Sequence, residues 1–385
     1  MTLHTDVLIV GGGPIGASLA LFLSGTGRRI TLLEARRAGA SDARTLAISH
    51  GTSLLLDRMG VSVDTLHATP IETIHVSQRG GFGRTLMRAA QMQLPALGYV
   101  ITYGQLVAAM DICLAESSVQ TFYGARVTDV RGTDGHAFAE YERDGTRATM
   151  TASLVVLAEG GRSLGALPGI EAKERDYGQH AVVASVSTAP PATNTAYERF
   201  TPEGPLALLP QGRDYALVWT VPSQEAERLV AARADDFLRE LAEHFGDGAH
   251  RFVSVGARAS YPLKMRYARA TGAKRLVLVG NAAQTLHPVA GQGFNLGMRD
   301  VWALARALDG VPADELGSPA TLARYRSERG LDARAGVALT DFLVRGFSND
   351  NGLFTAARGV GLAVLDLLPP GRAWLARKMM FGSRG

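Results

Sequence analysis

A chain of 385 residues, 46% hydrophobic and 20% charged, carries enough apolar matter for a sizeable core and enough length for two or three structural units. The formal charge of +4 is mild, with basic residues interleaved among acidic ones and not striped beside aromatics, which excludes nucleic acid as an expected partner. One cysteine, Cys113, excludes an internal disulfide and a cysteine-based metal site, fits a reducing compartment, and reads as a small buried residue.

The first predicted element is a strand over Asp6–Val10, "DVLIV", a short β-branched run of the kind buried on both sheet faces. "GGGPIG" follows, with Gly11, Gly13 and Gly16 at G-x-G-x-x-G spacing, and then "ASLALFLSGTG" with helical composition. A second strand, "RRITLLE", ends on Glu34. Such a βαβ unit binds a dinucleotide: bare backbone admits the diphosphate, the helix N-terminus offers free N–H groups, and the terminal acid accepts from a ribose hydroxyl. Glu34 also argues against a 2′-phosphate in this pocket, because the two anions would repel. The segment lacks the basic start of a signal peptide, and no stretch reaches the ~20 apolar residues of a spanning helix, so the expected location is cytoplasmic.

Two more strands end in the same fashion. "ASLVVLAEGGRS" gives Leu154–Ala158, followed by Glu159 and Gly160; "KRLVLVGNAAQTLHPVAGQGFNLGMRD" gives Leu276–Val279, followed by Gly280 and Asn281. An acid or amide beside glycine at a strand end recurs where a parallel sheet presents its C-terminal edge to a ligand. Between them, residues 176–268 alternate as a sheet should, with one amphipathic helix over roughly 223–245. "RGGFGR" near Gly81 follows no clear strand and reads as a loop. After Pro288 and Gly291, apolar residues Phe294, Met298, Val301, Leu304 and Leu308 recur three or four apart, so a helix begins near Gln292. Residues 342–385 hold six basic and two acidic residues with short apolar runs, which suits an anionic membrane surface, a partner protein, or packing on the chain's own core.

The three motifs, in this order and separation, resemble those of the flavoprotein aromatic hydroxylases of the FAD-dependent monooxygenase superfamily, and most of all the ubiquinone-biosynthesis type that hydroxylates 2-polyprenyl-6-methoxyphenol. "GNAAQTLHP" is the most specific stretch, and "AYERFTPEGPLALLP" extends the likeness through the middle. The chain departs from the family pattern in having Glu159-Gly160 for Asp-Gly, Gly280-Asn281 for Gly-Asp, and no basic residue near Ala166.

The resemblance implies an α/β fold: a Rossmann-like FAD-binding domain with a parallel sheet (1–75, 98–175, 269–330), an inserted mixed or antiparallel sheet domain for substrate (76–97, 176–268), and C-terminal helices (331–385). It implies FAD held by Gly11, Gly13, Gly16, Glu34, Arg44, Gln105, Glu159, Gly160, Gly280, Asn281, Gly291, Gln292, Gly293 and Asn295. Pro288 would line the reaction chamber through its rigid turn and free carbonyl; His287 would border the flavin, with a plain loop residue as the alternative. The implied reaction uses O2 and NAD(P)H: a flavin C4a-hydroperoxide delivers oxygen to the ring of a polyprenyl phenol or other aromatic substrate. The tail then suits peripheral contact with a membrane or a biosynthetic complex. No metal-ligand cluster is evident. A prenyl reductase or a prenyl carrier without flavin are the rival readings of the same fold.

Overall fold

The computed structural model describes residues 3–37, 42, 44–80, 83–161, 170–246, 251–268, 271–285, 292–330 and 368–382. The chain begins β1 (Leu3–Val10), α1 (Pro14–Ser24), β2 (Ile30–Glu34), β3 (Thr45–Ser49), α2 (His50–Asp57), β4 (Thr69–Ile71), β5 (Thr73–Gln78) and β6 (Arg84–Arg88). It continues through β7 (Gly98–Thr102), α3 (Tyr103–Ala115), β8 (Gln120–Tyr123), β9 (Arg126–Gly132), β10 (Ala137–Arg143), β11 (Thr146–Leu157) and the long β12 (Ala172–Ala189). Next come β13 (Thr195–Thr201), β14 (Gly204–Gln211), β15 (Asp214–Pro222), α4 (Ser223–Ala231), α5 (Ala234–Phe245), β16 (Arg251–Val255) and β17 (Ala259–Ala268). It closes with β18 (Gly272–Ala273), β19 (Leu276–Leu278), β20 (Gln284–Thr285), α6 (Gln292–Leu308) and α7 (Pro369–Phe381).

The first sheet has a parallel heart in the order β8-β2-β1-β11-β19. Val7 and Ile9 of β1 pack on one face with Leu19 of α1, Met110 of α3 and Met298 of α6. Leu8 and Val10 pack on the other with Val130 and Tyr141 of the β9–β10 ribbon. Because both faces are covered there, the second half of β1, Val7 to Val10, carries no polar alternation and reads as an unbroken apolar run. Strand β11 starts eight residues before the expected Leu154: its first half pairs antiparallel with β10, from Arg143 opposite Thr146 to Ala137 opposite Ala152. That half alternates exposed and buried residues, so a search for continuous apolar runs passes over it.

The second sheet runs β20-β17-β12-β15-β14-β13-β5-β6, with β16 beside β12; every neighbouring pair is antiparallel except β13 with β5. "RGGFGR" therefore does follow a strand, β5, but the chain returns antiparallel in β6, which makes it a hairpin connection and not a βα phosphate turn. Gly81 itself lies outside the described residues. The single helix expected over 223–245 is two helices, broken where Ala232 and Arg233 are both extended with ψ of 154° and 153°. Asp235 and Asp236 in the first turn of α5 are the N-terminal signal that the apolar periodicity concealed. Both helices cover one sheet face, burying Leu206, Leu208, Leu217 and Trp219 against Leu229, Phe237 and Leu241.

Helix α7 ties the two parts together. Ala376 and Met380 pack with Met87 and Leu97. The Met380 carbonyl accepts from Ser49 Oγ (3.1 Å), and the Met379 carbonyl accepts from the Arg299 guanidinium (2.6 Å) on α6. Of the three fates open to the tail, this segment packs on its own protein through one face, while Trp374 on another is 62% exposed.

Candidate cofactor site

The three glycine-bearing turns leave the C-terminal ends of β1, β11 and β19, which are neighbours in one parallel sheet. They are stitched together at the edge itself. Ala158 N donates to Val10 O (2.8 Å), Val279 N to Leu157 O (3.0 Å), and Gly11 N to Leu33 O (2.8 Å) at the end of β2. Sequence-distant motifs are thus one hydrogen bond apart, at the edge where open α/β sheets bind ligands.

The fingerprint turn is shaped by steric need. Gly11 has φ +104°, and a Cβ there would stand 2.7 Å from the Ala158 carbonyl oxygen; only glycine fits both demands. A Cβ on Gly16 would lie 1.9 Å from Gly11 O, so α1 reaches the sheet only because that atom is missing. Gly13 is different. A Cβ there would meet only Tyr103 Oη at 3.6 Å, which leaves open space in front of the helix end. Helix α1 has Gly13 as N-cap with no side-chain cap and no acid in its first turn, so its dipole end is left for an anion. Glu34 is buried at the end of β2, with Oε2 accepting from Gly12 N and Oε1 from Arg36 N, both at 2.5 Å. These two amides fix the carboxylate and leave its outer lone pairs for sugar hydroxyls.

Arg44 reaches this turn through Tyr103. Arg44 lies 4.7 Å over the Tyr103 ring and pairs with Asp42 (2.6 Å); the hydrogen bond from Arg44 holds the Asp42 carboxyl below its usual range. Tyr103 opens α3, two residues before the exposed Gln105, and burial pushes its phenol up. The reading from sequence missed Tyr103, whose only signal was an aromatic at a strand-to-helix switch. It also missed the neighbouring group in which Asp111 accepts from Arg36 (3.0 Å) and from Tyr123 (2.9 Å), with burial first and Asp111 next pushing the Tyr123 phenol up to about 12.

Glu159 and the exposed Gly160 continue β11, and a Cβ on Gly160 would meet nothing within 4 Å. Asn281 is exposed in a short 3-10 turn, Gly280–Ala282, which is clamped by Ile15 of α1 and by α6: a Cβ on Gly297 would come 3.3 Å from Gly280 Cα. Gln292 and Gly293 form the first turn of α6, which carries no acid, and the space before Gly293 is open within 4 Å. Bare backbone and two acid-free helix starts fit the diphosphate, sugar chain and flat ring of FAD. Asn295 is engaged within the protein: its side-chain oxygen accepts from Ser49 N and Thr52 Oγ1, each 2.8 Å, and its NH2 donates to Ala47 O (3.2 Å), so it ties α6 to β3 and α2. His287, Pro288 and Gly291 lie outside the described residues.

The second sheet turns its other face, the one without α4 and α5, toward α6. Leu296 of α6 packs on Met265 of β17 with Tyr177 and Tyr267 alongside. Val183, Val218 and Ala207 stand opposite one another across β12, β15 and β14, half-buried on that face. Trp219 is core: 2% exposed and edge-on to Phe237, with ring centres 5.7 Å apart. Tyr197 meets His75 and Phe245 edge-on, and Phe200 is buried.

A family model described as an FAD binding domain matches residues 4–340. The ubiquinone hydroxylase UbiL of Rhodospirillum rubrum is 36% identical over 395 residues, covering 97% of this chain and 89% of that protein. The 3-demethoxyubiquinol 3-hydroxylase of Escherichia coli is 31% identical over 386 residues, covering 94% and 95%. In fold, the chain is similar to p-nitrophenol 4-monooxygenase from Pseudomonas putida, with a TM-score of 0.77 over the whole of both chains at 19% identity.

Proposed function

The chain belongs to the FAD binding domain family of flavin-dependent monooxygenases, and from that premise we propose that it hydroxylates the aromatic ring of a polyprenyl phenol in ubiquinone biosynthesis, with O2 as oxygen source and NAD(P)H as reductant. The observation that carries the reading is the meeting of three turns on one sheet edge, with a second sheet laid over α6. The relatives that are similar over nearly the whole chain are named as ubiquinone-pathway hydroxylases, which supports the substrate class.

FAD supplies electrons and activated oxygen; the protein's part is grip, orientation and dryness. The N-terminus of α1 and the glycine backbone would hold the diphosphate, and Glu34 the ribose. Asn281 would hydrogen-bond the sugar chain, and the first turn of α6 would stabilise charge on the reduced ring. The apolar row Val183, Val218 and Ala207 forms a floor that positions the phenol and keeps water from it. The expected result with purified protein is substrate-stimulated oxygen uptake and a product heavier by one oxygen drawn from labelled O2. Label entering from water, or product formed without oxygen uptake as in a prenyl reductase, removes the proposal.

The outward face of α7 carries Trp374, 62% exposed, three and four residues before the cations Arg377 and Lys378, and the residue that enters the helix, Leu368, is 54% exposed. We propose that this face rests on an anionic bilayer that holds the prenyl chain of the substrate. Among the described residues no helix is long and apolar enough to span one. Trp374→Ser is expected to reduce sedimentation with vesicles containing anionic lipid at least about threefold, since an interfacial tryptophan is a main apolar anchor. The same variant should retain its flavin, because the residue is exposed to solvent; parent-like sedimentation would show that the face does something else.

A further inference from the structure

The third turn is held from behind by a buried charge pair that the site's chemistry has not yet used. Gly280 has φ +59°, and its amide points into the protein, donating to Asp300 Oδ2 at 2.9 Å. The other oxygen of Asp300 accepts from Arg329 Nε. Both side chains are almost wholly buried, Asp300 at 3% and Arg329 at 5% exposure. Asp300 lies on the third turn of α6, so one carboxylate connects the Gly280 turn to that helix. A buried carboxylate is tolerated only when opposite charge and hydrogen bonds compensate its lost hydration. Here the compensation comes from Arg329 and from the backbone amide that precedes Asn281.

We infer that Asp300 is the positioning residue of the cofactor turn, fixing the Gly280 amide inward so that Asn281 stands outward toward FAD, with Arg329 locking the carboxylate in place. This rests on the FAD reading of the site. An asparagine at 300 has a single oxygen and can serve Gly280 or Arg329 but not both, with the charge gone in either case. Leu308 provides the control. It is fully buried as the last residue of α6, two turns beyond Asp300, and packs in the main apolar core.

The test is FAD release from the purified full chain, followed by flavin fluorescence, beside its thermal melt. Asp300→Asn should weaken FAD binding about tenfold or more, the value of one charge-assisted hydrogen bond, whereas Leu308→Ala should lower the melting temperature and leave FAD affinity alone. Arg329→Gln is the second probe, with an intermediate loss of FAD affinity expected if Asp300→Asn does not fold. The inference is overturned if folded Asp300→Asn or Arg329→Gln binds FAD within about twofold of the parent, or if affinity falls only in step with the melt, as a purely structural pair would give. A parent chain that binds no FAD at all would instead remove the family reading beneath it.

Discussion

Gly16→Ala is expected to abolish FAD retention and to destabilise the whole parallel sheet. The added methyl would stand 1.9 Å from Gly11 O and 3.2 Å from the Ala158 Cβ. Neither neighbour can retreat: Gly11 is bound to Leu33 O, and Ala158 N to Val10 O, each at 2.8 Å. Helix α1 must therefore lift off β1, and the contacts of Leu19 and Ala20 with the core go with it. Overpacking against movable side chains costs ~1–3 kcal/mol, and overlap with backbone should exceed that. Gly13→Ala separates the fold from the cofactor. Its methyl meets only Tyr103 Oη at 3.6 Å, and its φ of −66° suits any residue, so the melt should not change. The same methyl fills the space before the helix N-terminus, and FAD affinity should fall by about tenfold or more, as when an anion loses close approach to N–H donors. Melts and FAD titrations of both variants decide the matter. A Gly13→Ala protein with parent affinity would place the diphosphate elsewhere.

The parallel heart of the protein was legible because its chemistry is local. The strand, turn and helix of residues 6–24 and the acid at Glu34 are fixed by neighbours within one βαβ unit, so their pattern survives in the sequence. The two later strand ends were legible from their short, fully buried apolar runs. What the sequence withheld is set by partners far along the chain. Asn295 stands in a glycine-rich first turn and has the look of a ligand, yet Ser49 and Thr52, more than 240 residues earlier, take its amide. Asp300 looks like one more polar face residue of an amphipathic helix; its burial depends on Arg329 and on a turn formed by β19. The first half of β11 and the break at Ala232 were missed on shorter range, where a period of two and a pair of acids lay beneath a stronger apolar signal.

Glu34→Gln should behave far more like Glu34→Ala than its shape suggests. The carboxylate of Glu34 accepts an amide hydrogen on each oxygen, from Gly12 and from Arg36, and a Cβ on Gly12 would lie 2.9 Å from its Cβ, so the side chain also forms the wall of the turn. A glutamine offers one oxygen and one NH2 in the same plane, and whichever way it turns, its NH2 confronts an N–H donor. One of the two amides then loses its partner in a buried place, and the ribose loses an anionic acceptor. Hydrogen bonds to a charged group contribute about 1.5–3 kcal/mol each, so loss of one weakens FAD binding by roughly tenfold to about 150-fold and loss of two by more, with alanine at the upper end. FAD dissociation constants for parent, glutamine and alanine proteins, read by flavin fluorescence, give the order. If the glutamine protein holds FAD as the parent does, the two amide contacts are incidental and the acid serves only to fill the end of β2.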